Sequence, residues 1–202
     1  MSFEEVGIFH KKNVVSLDLL EHLSIQFSML RKGIYFYNNI PDDNINKHHF
    51  GDVQVKNSFC QYSTIFSESL LLQMLPVVEE IVGNKILPSY SYSRIYYKDA
   101  CMPIHVDRSS CEISATFTIK VDKDNPYPIY FIDKKGREIE IVMDPGDLVV
   151  YKGCELQHWR NNFTGNDHMQ TFLHYIFADG QYKNLLYDSR PFLGLPKSTR
   201  KR

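Results

Sequence analysis

Hydrophobic residues recur at helical spacing in the first part of the chain. After Ser16, whose side chain suits an N-cap, they fall at Leu19, Leu20, Leu23, Phe27 and Leu30. One face of such a helix is apolar, so we expect that face to pack against the rest of the protein. The pattern predicts a helix that ends near residues 31–33, with Gly33 as its C-terminal cap.

A second helical pattern covers residues 63–82 and ends at Gly83 and Asn84. Its apolar positions are Leu71, Leu72, Leu75, Val78 and Val82. Pro76 lies inside the pattern, and because proline removes a backbone hydrogen bond we expect a kink or two abutting helices there. Between the helices, the long polar stretch over residues 41–62 is interpreted either as a lid over a binding site or as a surface loop.

Short runs rich in β-branched and aromatic residues predict strands, a few before the helices and a long series after them. The predicted strands cover residues 6–9, 13–16, 34–37, 86–87, 90–97, 113–121, 127–132, 138–143, 147–151 and 169–177. Clusters of Gly, Pro, Asn and Asp separate the later runs. The series predicts a closed or double-sheet β fold, and the preceding helices indicate an α+β protein with helices packed on one sheet.

The length of 202 residues suits a single domain. Within residues 1–202 we distinguish an N-terminal elaboration (1–85), a strand-rich core (86–180) and a C-terminal extension (181–202). The last six residues, 197–202, are basic and are interpreted as a solvated tail.

The net charge of −1 argues against a surface that recruits nucleic acid, so we regard nucleic acid as an improbable partner. The four cysteines have no C-x-x-C spacing, so a zinc knuckle is not supported, and we expect them to be reduced and mostly buried. No secretory signal or membrane-spanning run is recognisable, so we expect a cytoplasmic protein without a membrane partner. The oligomeric state is not readable.

Three residues form a candidate metal site. His105 and Asp107 make an H-x-D pair near the end of the strand that starts at residue 90, and His158 follows the predicted strand over residues 147–151. Residues two apart on a strand share a face, so His105 and Asp107 can meet one ion. Two imidazoles and one carboxylate form the facial triad that suits a non-haem Fe(II) oxygenase. H-x-D alone is common by chance, so the prediction depends on all three residues in their strand context.

The surrounding residues add a resemblance to a known family. The stretches YY at 96–97, MPIHVDR at 102–108, PGDLVVY at 145–151 and ELQH at 155–158 resemble the 2-oxoglutarate- and Fe(II)-dependent dioxygenases, nearest to the prolyl 4-hydroxylase-like group. The resemblance covers less than half of the chain. It implies a double-stranded β-helix, or jelly roll, with Fe(II) held by His105, Asp107 and His158 as the catalytic centre. It also implies 2-oxoglutarate as co-substrate, O₂ as reactant, and release of succinate and CO₂.

The same resemblance points to residues that hold the co-substrate. Tyr96, nine residues before His105, occupies a position where the family has a tyrosine. The family usually has Arg or Lys about ten residues after the distal histidine, and here that position is His168. Arg160 is the nearest guanidinium, and a guanidinium is a strong carboxylate partner. We rank Arg160 and His168 equally, with Gln170 beside His168.

Two further cations remain candidates for the same carboxylate. Arg94 shares a strand face with Tyr96, and Lys120 lies on an earlier strand with Thr116 and Thr118. On the last predicted strand the polar face, with His168, Gln170, Phe172 and His174, is the one expected to line a cavity.

Three residues beside the metal motif have two interpretations each. Arg108 either contacts a substrate anion or forms a surface ion pair, and Glu112 either orients a ligand histidine or forms such a pair. Trp159 is interpreted as a cavity wall in preference to ordinary core.

The leading interpretation is a 2-oxoglutarate- and Fe(II)-dependent hydroxylase acting on a peptide, prolyl or small-molecule substrate. The alternatives are a non-catalytic jelly-roll module of cupin type and a metal-dependent isomerase or hydrolase that uses a bound water. Absence of Arg or Lys near His168 favours the binding module.

Overall fold

The computed structural model describes residues 3–194 of the chain. Its helices are α1 (Phe3–Val6), α2 (Leu17–Tyr37) and α3 (Ile65–Val82). Its strands are β1 (Ile8–Lys11), β2 (Ser58–Tyr62), β3 (Ile86–Tyr97), β4 (Met102–His105), β5 (Ile113–Lys120), β6 (Ile129–Ile132), β7 (Glu138–Ile141), β8 (Leu148–Tyr151), β9 (His158–Arg160) and β10 (Asp167–Phe177). Short 3-10 turns cover Asp42–Asn44, Ser109–Cys111 and Lys183–Ser189.

The strands form two antiparallel sheets that face each other. The larger sheet has six strands in the order β1-β8-β5-β10-β3-β2, and the smaller has four in the order β4-β9-β6-β7. With α2 and α3 on the outer face of the large sheet, this is the predicted α+β jelly roll with N-terminal helices on one sheet. Two strands of the large sheet, β1 and β2, precede residue 86.

Alternation along the strands divides the large sheet into an apolar outer face and an inner face that is richer in polar groups. On β10 the outward Met169, Leu173 and Tyr175 join the core that α2 and α3 complete. Phe172 and His174 point inward and line a cavity between the sheets, as expected, whereas His168 and Gln170 of the same face do not line it. The inner face of the large sheet is therefore the one that carries the chemistry.

Helix α2 is longer than predicted and overturns the strand expected over residues 34–37. It begins at the predicted N-cap, where the Ser16 hydroxyl accepts a hydrogen bond from Leu19 N, but it runs through Gly33 and ends at Tyr37. Tyr35 is buried in the main core, and its hydroxyl donates to the His48 carbonyl. Burial of this side chain outweighs the weak helix propensity of Gly33.

Helix α3 is continuous through Pro76, so of the two expected outcomes, a kink or two abutting helices, the second is wrong. It starts after the Thr64 cap and ends at Gly83, whose left-handed φ of 70° suits glycine. The predicted apolar face is partly shifted: Leu71 and Val78 are buried, whereas Leu72 is largely exposed.

The structure also corrects the sequence prediction before residue 63. No strand covers residues 13–16, because Asn13 has a φ of 53° and turns the chain towards Gly146. Strand β2 was missed inside the polar stretch over residues 41–62, where it forms the sheet edge beside β3. Two of the four cysteines, Cys60 and Cys111, are buried.

Strands β4 and β9 were not predicted, because β4 contains Pro103, which argues against a strand, and β9 has three residues, too few to show a periodic pattern. The basic tail over residues 197–202, and the interpretation attached to it, lie outside the described residues. Over residues 3–194 the structure has no helix with the length and hydrophobicity needed to span a bilayer.

Candidate metal centre

The small sheet positions the two histidines of the predicted triad. His105 ends β4 and His158 begins β9, and they are Cα partners in the antiparallel pairing of these strands. The H-x-D pair was predicted to lie near the end of the strand that starts at residue 90, and this is wrong. That strand, β3, ends at Tyr97, and the chain then turns and crosses to the other sheet. His105 and His158 are adjacent because of this crossing.

Asp107 completes a compact cluster with the two imidazoles. Its Oδ1 lies 3.7 Å from His105 Nε2 and 3.6 Å from His158 Nε2. One ligand atom from each residue lies within 4.8 Å of the others. These separations exceed hydrogen-bond lengths and leave a space of the size that a metal ion bridges.

Backbone carbonyls orient both imidazoles towards that space. His105 Nδ1 is 2.8 Å from the Pro103 carbonyl, and His158 Nδ1 is 3.0 Å from the Leu156 carbonyl. The proton therefore sits on Nδ1 and leaves Nε2 free as a ligand atom. Burial, followed by the neighbouring His158, lowers the pKa of His105, which keeps that imidazole neutral.

The Asp107 carboxylate is held ionised by its neighbours. Burial alone would raise its pKa, but His158 and a hydrogen bond from Ser114 outweigh burial and lower it to about 2. Ser114 Oγ donates to Asp107 Oδ2 at 2.7 Å and lies 3.0 Å from His174 Nδ1. A carboxylate with two imidazoles is a donor set that fits a divalent transition metal.

Gly153 is required by close packing behind Asp107. A Cβ atom built on this glycine would lie 2.6 Å from Asp107 Oδ2 and 2.5 Å from Ser114 Oγ. Its carbonyl accepts a hydrogen bond from Asp107 N at 2.8 Å. The turn before β9 thus fixes the loop that carries Asp107.

The triad opens into a cavity of about 300 Å³ between the sheets. Its walls are formed by Tyr90, Tyr92, Arg94, Met102, Tyr151, Phe172 and His174 together with the triad, and the loop residues Asp52, Val53 and Gln54 cover one side. The polar stretch over residues 41–62 therefore contributes to the cavity wall. The cavity has the volume of a small-molecule site.

Three residues beside the motif do not act as a cavity wall or ligand support. Trp159 is absent from the cavity walls and stacks on Tyr130 at 5.5 Å, so the wall interpretation is wrong. Glu112 accepts a hydrogen bond from Phe177 N and does not contact a ligand histidine. Arg108 forms a two-pronged ion pair with Asp188 at 2.7 and 2.9 Å.

The residues expected to hold the co-substrate form a second buried cluster. Arg160 is 1% exposed, and its guanidinium carbon lies 5.7 Å from the ring centre of Tyr96 and 5.0 Å from that of Tyr127. Arg160 donates one hydrogen bond, to the Tyr127 carbonyl. Its Nε and Nη2 atoms, the Tyr96 hydroxyl and His168 Nδ1 are buried without a hydrogen-bond partner.

Three of these atoms, the two Arg160 nitrogens and the Tyr96 hydroxyl, are donors that an anion would satisfy, whereas His168 Nδ1 is an acceptor because Nε2 donates to Gln170. Among the side chains that the structure describes, no carboxylate pairs with Arg160, and a buried cation without a partner is costly. Burial, assisted by Arg160, lowers the pKa of His168 to about 3, so the imidazole adds no charge of its own. His168 Nε2 lies 2.9 Å from Gln170 Oε1. The other hydrogen bonds of the Gln170 amide are made to residues of the same sheet.

The three side chains considered as partners of the co-substrate carboxylate differ in where they lie relative to the cavity. Lys120 pairs with Asp167 at the sheet surface, 2.9 Å away, and does not reach the site. Arg94 lines the cavity but is paired with Asp52. Arg160 lies off the cavity walls, in the neighbourhood of Met102 and Phe172, which line the cavity and pack with Tyr96.

Two residues that shape the candidate site were not predicted from the sequence. Ser114 gave no signal, since one serine in an apolar strand has no recognisable motif. Asp52 lies in a polar stretch where acidic residues are ordinary, and only the three-dimensional fold brings it to Arg94.

In sequence, neither a family model nor a curated protein matches the chain. In structure, the chain is similar to a prolyl 4-hydroxylase from Pseudomonas putida, with 12% identity over 86% of this chain and 94% of that one and a TM-score of 0.62. It is similar to AviO1 from Streptomyces viridochromogenes, with 14% identity over 88% and 93% and a TM-score of 0.65. It is also similar to HygX from Streptomyces hygroscopicus, determined with nickel, 2-oxoglutarate and hygromycin B, with 12% identity over 86% and 84% and a TM-score of 0.61. The fold is that of the 2-oxoglutarate/Fe(II) oxygenases.

Proposed function

We propose that this chain is an Fe(II)- and 2-oxoglutarate-dependent dioxygenase that hydroxylates a small-molecule or peptide substrate. The observation that carries the proposal is the His105–Asp107–His158 cluster at the wall of a cavity between the two sheets, in a jelly roll of the oxygenase type. A ligand set of this kind leaves open positions on the metal for other ligands. HygX, a structural relative, was determined with 2-oxoglutarate bound.

In the proposed mechanism Nε2 of His105, Nε2 of His158 and a carboxylate oxygen of Asp107 hold the metal. Iron would supply oxygen activation coupled to decarboxylation of 2-oxoglutarate to succinate and CO₂. The protein lowers the pKa of His105 and keeps the Asp107 carboxylate ionised, so these two ligands are ready to bind without first losing protons.

The proposed co-substrate site is the buried cluster around Arg160. A carboxylate there would accept hydrogen bonds from the unpartnered Arg160 nitrogens and from the Tyr96 hydroxyl. His168 and Gln170 border this position and shape it without adding charge. Binding of 2-oxoglutarate would therefore satisfy polar atoms that have no partner in the ligand-free protein.

Aromatic side chains form much of the cavity wall beside the triad. They include Tyr90, Tyr151 and Phe172, and Tyr90 packs on the His174 ring at 4.5 Å. When a substrate fills the cavity, such walls would limit the water left beside the triad, which strengthens electrostatic interactions and limits side reactions.

A second candidate function is a jelly-roll module that binds a metal or ligand without oxygenase activity. It is favoured by the imidazole of His168 in place of a strand-borne Arg or Lys, and by the position of Arg160 off the cavity walls.

Anaerobic spectroscopy separates the two functions. Full-length protein is titrated with Fe(II) and 2-oxoglutarate, and the visible metal-to-ligand absorption is followed for wild type and His105→Ala. The oxygenase predicts a band in wild type that is lost in the variant, and succinate formation when O₂ is admitted. A wild type that retains iron but gives neither band nor succinate supports the binding module.

A further inference from the structure

Arg94 is a second guanidinium in the site, and unlike Arg160 it lies directly on the cavity wall. It projects from β3, is 2% exposed, and shares the cavity with His105 and Asp107. Its Nη2 lies 2.5 Å from Asp52 Oδ2. The Tyr92 hydroxyl, two residues earlier on the same strand face, donates to the same carboxylate oxygen.

The two partners of this ion pair differ in how firmly they are held. Arg94 lies in a strand that pairs with β10 on one side and β2 on the other. Asp52 belongs to the loop that precedes β2, where Val53 is 89% exposed and Gln54 is exposed as well. The cation is therefore part of the rigid sheet, and its carboxylate partner comes from a loop at the protein surface.

Asp52 presents a carboxylate to the cavity in the way a ligand would. Burial would raise its pKa, but Arg94 and the hydrogen bond from Tyr92 outweigh burial and lower it, so the carboxyl is ionised. Its Oδ1 accepts hydrogen bonds from Gln54 N at 3.0 Å and Val55 N at 3.4 Å, which are contacts within its own loop. Arg94 and Tyr92 are thus arranged around an anion supplied by the chain itself.

We propose that Arg94 and Tyr92 form a carboxylate-binding subsite of the cavity, which Asp52 fills in the ligand-free protein and leaves when a ligand carboxylate enters. The role of this subsite in substrate binding rests on the proposed oxygenase function. The ligand is either the co-substrate or a substrate that bears a carboxylate. In both cases Asp52 and its loop form a displaceable cover over the cavity.

Exchange of one carboxylate for another preserves the buried ion pair. The incoming group takes over both hydrogen bonds, and the Asp52 side chain moves outward with a loop whose neighbouring side chains already contact water. Loss of Asp52 without replacement has a different result, because it leaves a buried guanidinium unpaired. Such a vacancy is expected to bind a small monocarboxylate.

Chemical rescue tests the subsite without metal or co-substrate. Thermal unfolding of metal-free, full-length Asp52→Ala is measured in sodium acetate and in sodium chloride of equal ionic strength. We expect acetate to raise the Tm of this variant by about 3 °C or more relative to chloride, and to leave wild type unchanged. The double variant Asp52→Ala/Arg94→Gln is expected to lose the response.

Asp133→Ala is the matched control, because Asp133 is also a carboxylate paired with an arginine, 2.7 Å from Arg137, but it lies in the turn between β6 and β7. Equal acetate responses in Asp52→Ala and Asp133→Ala overturn the proposal, as does an acetate response that survives loss of Arg94. If Asp52→Ala does not fold, Asp52→Asn is used, and failure of acetate to bind it more tightly than wild type overturns the proposal equally.

Calorimetry with Mn(II)-loaded protein identifies which carboxylate enters. If the substrate occupies the subsite, Arg94→Gln binds 2-oxoglutarate within about twofold of wild type, and Arg160→Gln binds it at least tenfold more weakly. The reverse pattern assigns the subsite to the co-substrate, and both patterns support its existence. If acetate rescues Asp52→Ala but wild type binds neither metal nor 2-oxoglutarate, the oxygenase function fails while the subsite stands.

Discussion

His105 and His158 face each other across the pairing of β4 with β9, although the whole of β5 to β8 separates them in the chain. His158 also pairs with Phe131 of β6, so its strand is held on both sides. The spacing of the two imidazoles is set by backbone hydrogen bonds between strands. Asp107, by contrast, lies in a loop and depends on Gly153 and Ser114 for its position.

The hydrogen bond from Ser114 should strengthen metal binding. Ser114→Ala is expected to weaken metal affinity by about tenfold, because a carboxylate ligand without its supporting donor is less well oriented. Competition with a chromophoric chelator measures the change. Ser93→Ala is the control, since Ser93 is a buried serine that bonds to Thr171 on the opposite face of the sheet. Equal affinities in the two variants would contradict the assignment.

Gly153 should not tolerate a side chain. Gly153→Ala places a methyl group against Asp107 and Ser114, and we expect a loss of about 1–3 kcal/mol in the free energy of unfolding together with loss of metal binding. Gly33→Ala is the opposite control: no atom lies within 4 Å of a Cβ built there, inside α2, and the change is expected to stabilise by about 0.5–1 kcal/mol. Urea unfolding measures both. Full metal affinity in Gly153→Ala would refute the packing argument.

We expect the buried charge of Arg160 to contribute to 2-oxoglutarate binding and not to the free energy of unfolding. Arg160→Met removes an unpaired buried cation at similar volume, so the metal-free protein is expected to unfold at the same or a higher urea concentration. Affinity of Mn(II)-loaded protein for 2-oxoglutarate should fall at least tenfold. A marked loss of stability with unchanged 2-oxoglutarate affinity would assign Arg160 a structural role.

Acid should destabilise the protein through His168. Burial lowers the pKa of this imidazole from 6.5 to about 3 in the folded state. Between these values the unfolded chain binds the proton and the folded chain does not, so stability is complete above about pH 6.5 and falls as the pH decreases. At pH 5 this residue costs about 2 kcal/mol relative to pH 7.5.

Urea unfolding of metal-free protein at the two pH values provides the test. His168→Gln should remove about 2 kcal/mol of the acid-induced loss. His22→Gln, which removes an exposed histidine of α2, should keep the dependence of wild type. A His168→Gln variant with the wild-type acid loss would show that other groups account for it.

The sequence was sufficient where periodicity is strong or where a motif is local. The β-rich second half and the capped start of α2 were predicted, and the three residues predicted as metal ligands lie together as a candidate cluster. It was insufficient where tertiary contacts decide the outcome. Burial of Tyr35 carries α2 past Gly33, and a three-residue strand such as β9 has no period to read.

Long-range charge pairing was the least predictable feature. The Asp52–Arg94 ion pair joins a surface loop to a central strand, and neither residue lies in a recognisable motif. Trp159 illustrates a related error: adjacency to His158 on a strand directs its side chain to the opposite face, towards Tyr130.

The place of β10 in the large sheet has a consequence for how the chain is synthesised. This strand pairs with β3 on one side and β5 on the other, yet among the strands that the structure describes it is the last to be synthesised. Until Phe177 has emerged from the ribosome, β3 and β5 each present an unpaired edge that can bind other nascent chains. The large sheet therefore closes only after all of its other strands have been made.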